Sequence, residues 1–348
     1  MNPYASRALL TLLLIAAAAC APLQRASTAL APARTAEIAA AIEETIAARK
    51  MPGAAVWVER RGAPAYHAAF GMLYYEAGAP ATKEDTVFDA ASLTKVVATA
   101  PSVLLLAEDG KLDLDAPLVR YFPECANGGK EAITLRHLLT HSSGLPGGLP
   151  AKPAWRGKEA ARALACKQVV THPPGTFFRY SDINYILLGL LVEHASGMPL
   201  NEFAQRRIYA PLGMLDTGYL PQQKHALARI APTQKSPAVE GKALHDDLAD
   251  GQMLRGVVHD PTARFMGGVG GSAGLFTTVA DLARYARMLL AGGTVDGVRV
   301  MSADSVRLLT TAQSPPGLAL RAMGMDIDSP YARPRGSIFP VGSYGHTG

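Results

Sequence analysis

The order of hydrophobic and polar positions predicts a helix and a hairpin at the start of the folded part of the chain. Residues 35–50 carry isoleucine and alanine at helical spacing, and Met51-Pro52-Gly53 ends the pattern. Two short runs of strand-forming residues follow, 54–59 and 65–70, with the turn Arg61-Gly62-Ala63-Pro64 between them. We therefore expect one helix followed by two antiparallel strands.

The middle of the chain is mostly helical in its spacing, and the end returns to strand-like segments. Helices are predicted at 96–106, 134–140, 158–170, 183–195, 200–209, 278–290 and 302–309, and strands at 323–327 and 343–348. The polar residues 221–265 predict a long irregular excursion. Strands at both ends with helices between them predict an α+β fold, an antiparallel sheet flanked by helices with a mostly helical domain inserted.

The first residues are typical of an export signal. Arg7 precedes an apolar run, 8–19, that is too short to cross a membrane comfortably. Ala17-Ala18-Ala19-Cys20 is similar to a bacterial lipoprotein cleavage box, in which the cysteine is acylated. We expect a signal peptide over 1–19, a lipid anchor at Cys20 that holds the protein to a membrane of the cell envelope, and a tether over 20–34. Ordinary cleavage nearby is the alternative.

The composition fits a globular protein and argues against nucleic-acid binding. The chain is 49% hydrophobic and 18% charged, and its net charge of +5 is dispersed, with no basic run that includes aromatic residues. The two cysteines besides Cys20 are Cys125 and Cys166. A disulfide between them is permitted outside the cytosol, but two cysteines alone do not require one.

The segment Ser92-Leu93-Thr94-Lys95 opens an apolar helix and carries the first candidate chemistry. Residues three apart lie on one face of a helix, so the Ser92 hydroxyl and the Lys95 amine are expected to meet. Burial disfavours the ammonium form of a lysine, and an uncharged amine one turn away would make Ser92 a candidate nucleophile. A solvated serine–lysine pair on a surface turn is the alternative that the spacing leaves open.

Two later segments add candidates. Tyr180 stands just before a predicted helix that Ser181 or Asp182 can cap, and it could shuttle protons if nearby cations lower a phenol pKa from its usual value of about 10. The final residues, His346-Thr347-Gly348, offer a donor, a hydroxyl and a flat glycine along which a substrate could lie. A turn near a chain end is the alternative for this segment.

In this order, the three segments resemble the serine β-lactamase-like superfamily of penicillin-binding proteins, class C β-lactamases and related esterases. Residues 134–146 (TLRHLLTHSSGLP) and 267–282 (GGVGGSAGLFTTVADL) are also similar to segments of that family. The lipoprotein box and Val258-His259-Asp260 most resemble its lipoprotein penicillin-binding-protein relatives. The likeness covers 35–348 and implies one hydrolase domain, with an α/β part over 35–91 and 265–348 and a mainly helical part over 92–264.

The resemblance implies an envelope-anchored serine hydrolase that forms an acyl-enzyme on D-alanyl peptides, β-lactams or small esters and needs no cofactor. Ser92 would be the acylated nucleophile, Lys95 its activating partner and Tyr180 the general base. The backbone N–H of Ser92 would be one of two oxyanion donors. The residues implied in substrate binding are Asp182, Asn184, His346, Thr347 and Gly348.

The chain departs from the family pattern at three points. Asp182 replaces the asparagine of a Tyr-x-Asn motif, and a carboxylate cannot donate to a substrate amide as an asparagine can. His346 stands where lysine is usual. Both changes favour penicillin-binding-protein or esterase activity over an efficient β-lactamase. The sequence stops at Gly348, before the second oxyanion donor, so we expect the C-terminal strands and helix to be missing and catalysis by this length of chain to be in question.

Three other interpretations compete. The chain could be a non-catalytic cell-wall or partner-binding protein that keeps the fold. Gly270-Gly271-Ser272-Ala273-Gly274 fits the α/β-hydrolase nucleophile elbow and would make Ser272 the nucleophile, although an elbow follows a buried strand and this one follows a glycine-rich run. His137 and His141 have a spacing that could pair them on zinc, but the glutamate of H-E-x-x-H is missing, and no metal site is expected.

Overall fold

The structure is a computed structural model of the 348-residue chain, and it describes residues 29–235, 251–329, 339–340 and 342–348. The predicted signal peptide and Cys20 therefore lie outside the described residues. Among the residues that are described, no helix is both long enough and apolar enough to cross a bilayer.

The helices predicted from the apolar spacing are present. The α-helices are α1 (Pro32–Ala47), α2 (Ala100–Glu108), α3 (Leu135–Leu139), α4 (Lys158–Lys167), α5 (Asp182–Ser196), α6 (Leu200–Ala204), α7 (Ala210–Leu212), α8 (Pro261–Phe265), α9 (Val279–Leu290) and α10 (Ala303–Thr310). A π-helical turn, Lys95–Thr99, leads directly into α2, and a second one, Gln205–Tyr209, joins α6 to α7. The first helix begins and ends slightly earlier than predicted, because Pro32 starts it and Ala48 caps it.

The strands pair in two-stranded antiparallel sheets. They are β1 (Gly53–Arg60), β2 (Ala63–Gly71), β3 (Phe88–Asp89), β4 (Gln234–Lys235), β5 (Met253–Leu254), β6 (Phe276–Thr277), β7 (Thr294–Val295), β8 (Val298–Arg299), β9 (Leu320–Arg321) and β10 (Asp326–Asp328). The predicted hairpin is formed by β1 and β2, with a bulge after Val58. Helix α1 packs on β2 and helix α9 on β1, so helices flank the hairpin as expected.

The end of the chain has less strand than its sequence predicts. Strands β9 and β10 pair with each other around the predicted segment 323–327. Residues 343–348 form no strand, and Gly345 makes a single antiparallel bridge to Asp326. Since strand pairing needs a partner as well as a suitable sequence, the pattern of 343–348 alone could not decide this.

The core of the molecule is built around α5, which packs against α2, α3, α4 and α6. Every residue from Ile183 to Val192 is buried, as expected for a helix surrounded by other helices. A disulfide joins Cys125 to Cys166 in α4 and answers the pairing question that the sequence left open. This packing fixes the first turn of α5 beside the π-helical turn at Lys95.

A glycine-rich segment, 267–274, packs against the start of α2 and the middle of α5. Thr99 Oγ1 donates to the carbonyl oxygen of Gly271 at 2.7 Å, and Thr94 Oγ1 accepts from the N–H of Leu275 at 3.0 Å. A Cβ atom at position 271 would collide with the carbonyl oxygen of Tyr185. Glycine is therefore needed here for close backbone approach.

Candidate active site

The backbone just before Ser92 is held in an unusual conformation. Ala91 has φ of 43°, in the left-handed region that costs a residue other than glycine about 1 kcal/mol. The side chain of Asp89 stabilises this turn, because its Oδ1 accepts the N–H of Ala91 at 2.9 Å. Its Oδ2 accepts the N–H of His259 at 2.7 Å, and burial raises the pKa of the Asp89 carboxyl group. Asp89 thus ties the turn of Ser92 to the loop before α8.

Lys95 is completely buried and places its amine on Ser92. Its Nζ lies 2.9 Å from Ser92 Oγ, 2.9 Å from the carbonyl oxygen of Ser272 and 2.7 Å from Asp182 Oδ1. An ammonium group has three N–H donors, and these partners use all three. The alternative of a solvated pair on a surface turn is wrong, because the Lys95 side chain is 0% exposed.

Tyr180 lies over the same amine. The Lys95 Nζ atom is 5.0 Å from the centroid of the Tyr180 ring. The guanidinium carbon of Arg321 lies 5.8 Å from the same centroid. Ser92, Lys95 and Tyr180 are therefore brought together in one site.

The C-terminal segment closes another side of the site. The phenol oxygen of Tyr180 lies 3.4 Å from His346 Nε2, and His346 Nδ1 lies 2.6 Å from the carbonyl oxygen of Thr347. Nδ1 is therefore the donor and Nε2 the acceptor of this imidazole. Burial, reinforced by the charge of Arg321, lowers the pKa of His346 to about 3. The ring is uncharged at neutral pH.

Gly348 and Thr347 occupy the edge of the site next to Ser92. A Cβ atom at position 348 would lie 2.6 Å from the carbonyl oxygen of Ala90, so the glycine approaches the turn of Ser92 closely. Thr347 is exposed at this edge.

Asp182 and Asn184 have different places in the site. Asp182 is 40% exposed and pairs with Lys95. Asn184 is 0% exposed, and its amide contacts Ser143 and His141. In the structure its side chain is not open to a substrate, and it supports the residues beneath Tyr180.

The fold agrees with the comparisons to known proteins. Residues 38–348 match the family model described as Beta-lactamase. The chain belongs to the β-lactamase family. Its fold is the β-lactamase/transpeptidase-like fold that the sequence predicted. The family is one of serine hydrolases related to penicillin-binding proteins.

Several relatives of this β-lactamase-family chain carry the same name. A protein of Escherichia coli K12 named "Putative D-alanyl-D-alanine carboxypeptidase" is 33% identical over 291 residues, which are 76% of this chain and 64% of the relative. A Salmonella agona protein of the same name is 30% identical over 287 residues, 76% of this chain and 65% of the relative. The chain thus spans a little under two thirds of the length of these relatives.

Solved structures share the fold at lower identity. The octameric penicillin-binding protein homologue from Pyrococcus abyssi superposes with a TM-score of 0.65 at 24% identity, covering 84% of this chain and 64% of that one. A structure titled "putative beta-lactamase" from Bacteroides dorei superposes with a TM-score of 0.64 at 21% identity, covering 89% and 77%.

The elbow interpretation of Ser272 is wrong for a β-lactamase-family chain. Ser272 is 2% exposed and lies in a glycine-rich segment that leads into the short strand β6, whereas an elbow leads from a strand directly into a helix. Ser272 contacts the site through its backbone carbonyl oxygen, which accepts a hydrogen bond from Lys95 Nζ.

The two histidines considered as zinc ligands, His137 and His141, make contacts in different places. His137 forms a capping box with Thr134 at the start of α3, with its Nδ1 accepting the N–H of Thr134 at 3.2 Å. His141 stacks on Tyr180 with ring centroids 4.4 Å apart. Within the described ranges, no group of three or more histidine, cysteine or acidic side chains is placed to hold a metal ion.

Sequence reasoning missed a buried ion pair beneath the site. Arg321 is 0% exposed, and its Nη1 donates to Asp326 Oδ2 at 2.9 Å while its Nη2 donates to the carbonyl oxygen of Gly324 at 2.7 Å. The sequence signal for this ion pair was a single arginine, Arg321, between Leu320 and Ala322-Met323. A cation within an apolar run needs a buried partner of opposite charge.

Proposed function

We propose that this chain is an acyl-transferring serine hydrolase of the cell envelope, with D-alanyl peptides as its substrates. The observation that carries the proposal is the position of the Lys95 amine, 2.9 Å from Ser92 Oγ and beneath the Tyr180 ring. A hydroxyl bonded to a buried amine, with a phenol beside them, is the arrangement that activates a serine nucleophile.

The reaction would proceed in two steps. Ser92 Oγ attacks the carbonyl carbon of the scissile bond, and the Ser92 proton passes to the deprotonated Tyr180 phenol oxygen, which lies beside the Lys95 ammonium. The bond to the leaving group then breaks, and Tyr180 returns that proton to the leaving amine. Tyr180 next takes a proton from the water that attacks the Ser92 ester, the ester bond breaks to release the carboxylic acid, and that proton restores the Ser92 hydroxyl.

The polar residues at the rim of the site support penicillin-binding-protein or esterase activity over an efficient β-lactamase. Asp182 can accept but not donate a hydrogen bond, so it cannot bind the carbonyl oxygen of a β-lactam side-chain amide. His346 is uncharged at neutral pH and brings no positive charge to a substrate carboxylate. The D-alanyl substrate class is supported by the names of the Escherichia coli and Salmonella relatives, which are called putative D-alanyl-D-alanine carboxypeptidases.

The test is covalent labelling of Ser92 by a fluorescent penicillin, followed by intact-protein mass. We expect one adduct on the wild-type chain, none on Ser92→Ala, and a wild-type adduct on Ser102→Ala, whose hydroxyl bonds only within its own helix. Tyr180→Phe should label about 100-fold or more slowly, as for loss of a general base. An unlabelled wild-type chain, or equal labelling of Ser92→Ala, would overturn the proposal.

Product analysis resolves the substrate. Release of free D-alanine from an acyl-D-alanyl-D-alanine peptide is the expected result. Turnover of a p-nitrophenyl ester without D-alanine release would indicate an esterase. Absence of a penicillin adduct, with turnover of neither substrate, would favour the binding-protein alternative.

The envelope location rests on two features. Residues 7–20 have the pattern of a lipoprotein signal, and the Cys125–Cys166 disulfide is typical of oxidising compartments. In cell fractionation, we expect the wild-type chain in the membrane pellet and Cys20→Ala in the soluble fraction. Recovery of both in the soluble fraction would contradict lipid anchoring.

A further inference from the structure

His141 contacts the ring of Tyr180 and hydrogen-bonds to the residues on both sides of it. The carbonyl oxygen of His141 accepts the N–H of Arg179 at 3.0 Å, and its Nδ1 accepts the N–H of Ser181 at 3.1 Å. Its ring stacks on the phenol ring with an interplanar angle of 27°. One residue therefore holds the backbone on both sides of Tyr180 and supports its ring.

A chain of buried hydrogen bonds fixes which nitrogen of His141 is the acceptor. Leu145 N–H donates to Ser143 Oγ, which leaves the Ser143 hydroxyl proton to donate to Asn184 Oδ1 at 2.6 Å. The amide of Asn184 then turns its Nδ2 towards His141 Nδ1 at 3.3 Å. Nδ1 faces two donors, the amide of Asn184 and the N–H of Ser181, so it carries no proton and the ring proton is on Nε2.

The charges around His141 also oppose an imidazolium. Lys95 from the π-helical turn and Arg321 from β9 are the cations that act on it, the uncharged His346 ring lies nearby in the C-terminal segment, and the rings of Tyr180 and Tyr185 pack against it. Burial, reinforced by these basic groups, lowers the pKa of His141 well below its usual value. Within the described residues, its buried Nε2 has no hydrogen-bond partner that would stabilise a positive charge.

We propose that His141 is the positioning residue of Tyr180, an uncharged imidazole with its proton on Nε2 that holds the phenol in place for proton transfer at Ser92. This inference rests on the proposed function of Tyr180. His141 acts through Tyr180, so its removal should slow the chemistry without removing a proton donor or acceptor of the reaction.

The backbone of His141 makes a clean variant available. Its φ is 57°, in the left-handed region, and asparagine adopts that conformation more readily than other non-glycine residues. The amide oxygen of an asparagine can take the place of Nδ1 as acceptor for Ser181. His141→Asn therefore keeps a side-chain acceptor for the Ser181 N–H and loses the ring, while His141→Ala loses both and keeps only the backbone bond to Arg179. His194→Asn, which removes a histidine that packs on Phe122 at the end of α5, is the matched control.

The test compares acylation rate constants of Ser92 with melting temperatures. We expect His141→Asn to melt near the wild-type temperature and to acylate about 10- to 100-fold more slowly, the range for a misplaced catalytic group, with KM little changed. His141→Ala should be slower still, and His194→Asn should react at the wild-type rate. His141→Asn that reacts at the wild-type rate would overturn the inference.

A second measurement separates this inference from the proposed function. Nitrogen-15 spectra of labelled histidines report the tautomer of His141, assigned by its absence in His141→Asn. We expect an uncharged Nε2–H ring from pH 5 to pH 8, and an imidazolium or an Nδ1–H ring would overturn the inference. A wild-type chain that is never acylated would sink the proposed function, and these spectra would still test the state of His141.

Discussion

Lys95 Nζ and Asp182 Oδ1 lie 2.7 Å apart, in an ion pair whose amine is completely buried and whose carboxylate is 40% exposed. The carboxylate gives the buried amine a counter-charge and stands at the open side of the site. Residue 182 therefore touches the Lys95 amine beside Ser92 and also faces the open side of the site.

Asp182→Asn should speed acylation by a β-lactam. The amide oxygen keeps the contact with Lys95, and the new N–H can donate to the carbonyl oxygen of the substrate's side-chain amide. One hydrogen bond contributes about 1 kcal/mol, so single-turnover labelling by penicillin should be about fivefold faster. Stability should fall by about 1 kcal/mol or less, because the lost charge is partly exposed. Asp304→Asn, on the exposed face of α10, is the control, and slower acylation of Asp182→Asn would contradict the prediction.

Removing one partner of the Arg321–Asp326 pair should be strongly destabilising. Asp326→Ala leaves the guanidinium buried without its carboxylate and removes the acceptor of Ser329 Oγ, so we expect a loss of about 3–5 kcal/mol in urea unfolding. Arg321→Met combined with Asp326→Ala should recover a large part of that loss, because no charge then remains buried. A single variant that unfolds like the wild type would show that the guanidinium finds another partner.

The uncharged state of His346 predicts a dependence of stability on pH. Its folded pKa is about 3 and its unfolded pKa is about 6.5, so between these values the unfolded chain binds a proton that the folded chain does not. This group therefore lowers stability as the pH falls below about 6.5 and has no effect above it. Urea unfolding at pH 7.5, 6 and 5 should show His346→Gln losing less stability than the wild type on acidification. Parallel curves for the two proteins would refute the assigned state of His346.

The Cys125–Cys166 disulfide should stabilise the helical part of the molecule. It closes a loop with a sequence separation of 41, for which the loss of chain entropy in the unfolded state predicts about 4 kcal/mol. A Cys125→Ser/Cys166→Ser double variant should unfold at correspondingly lower urea concentration. Added reductant should lower the wild-type midpoint towards that of the double variant and leave the double variant unchanged. Equal urea midpoints for the wild type and the double variant without reductant would rule out the stabilisation.

Local spacing made part of the site predictable. Ser92 and Lys95 are one helical turn apart, and their contact follows from that geometry alone. The start of α5 was likewise visible from Ser181-Asp182 before an apolar run, but the predicted cap by Ser181 is not formed, because Ser181 Oγ donates to the carbonyl oxygen of Pro146. The hairpin β1–β2 followed from two alternating runs and the turn between them.

The remainder of the site depends on contacts between distant segments. Nothing in the sequence near Asp182 indicates that its carboxylate meets Lys95, or that the ring of His141 lies under Tyr180. The extended pattern of 343–348 indicated a strand, but only the neighbouring segment could decide how much of it pairs. Such contacts are set by the packing of the whole domain, and local patterns do not contain them.

The amine of Lys95 also bonds the carbonyl oxygen of Ser272, a residue 177 positions further along the chain. During synthesis, Ser92 and Lys95 leave the ribosome long before this third partner exists. The nascent chain thus carries the serine without its finished surroundings, and the reactivity proposed for Ser92 would begin only when the glycine-rich segment has docked. A covalent probe of Ser92 would therefore report, in a growing polypeptide, the moment at which the two halves of the domain come together.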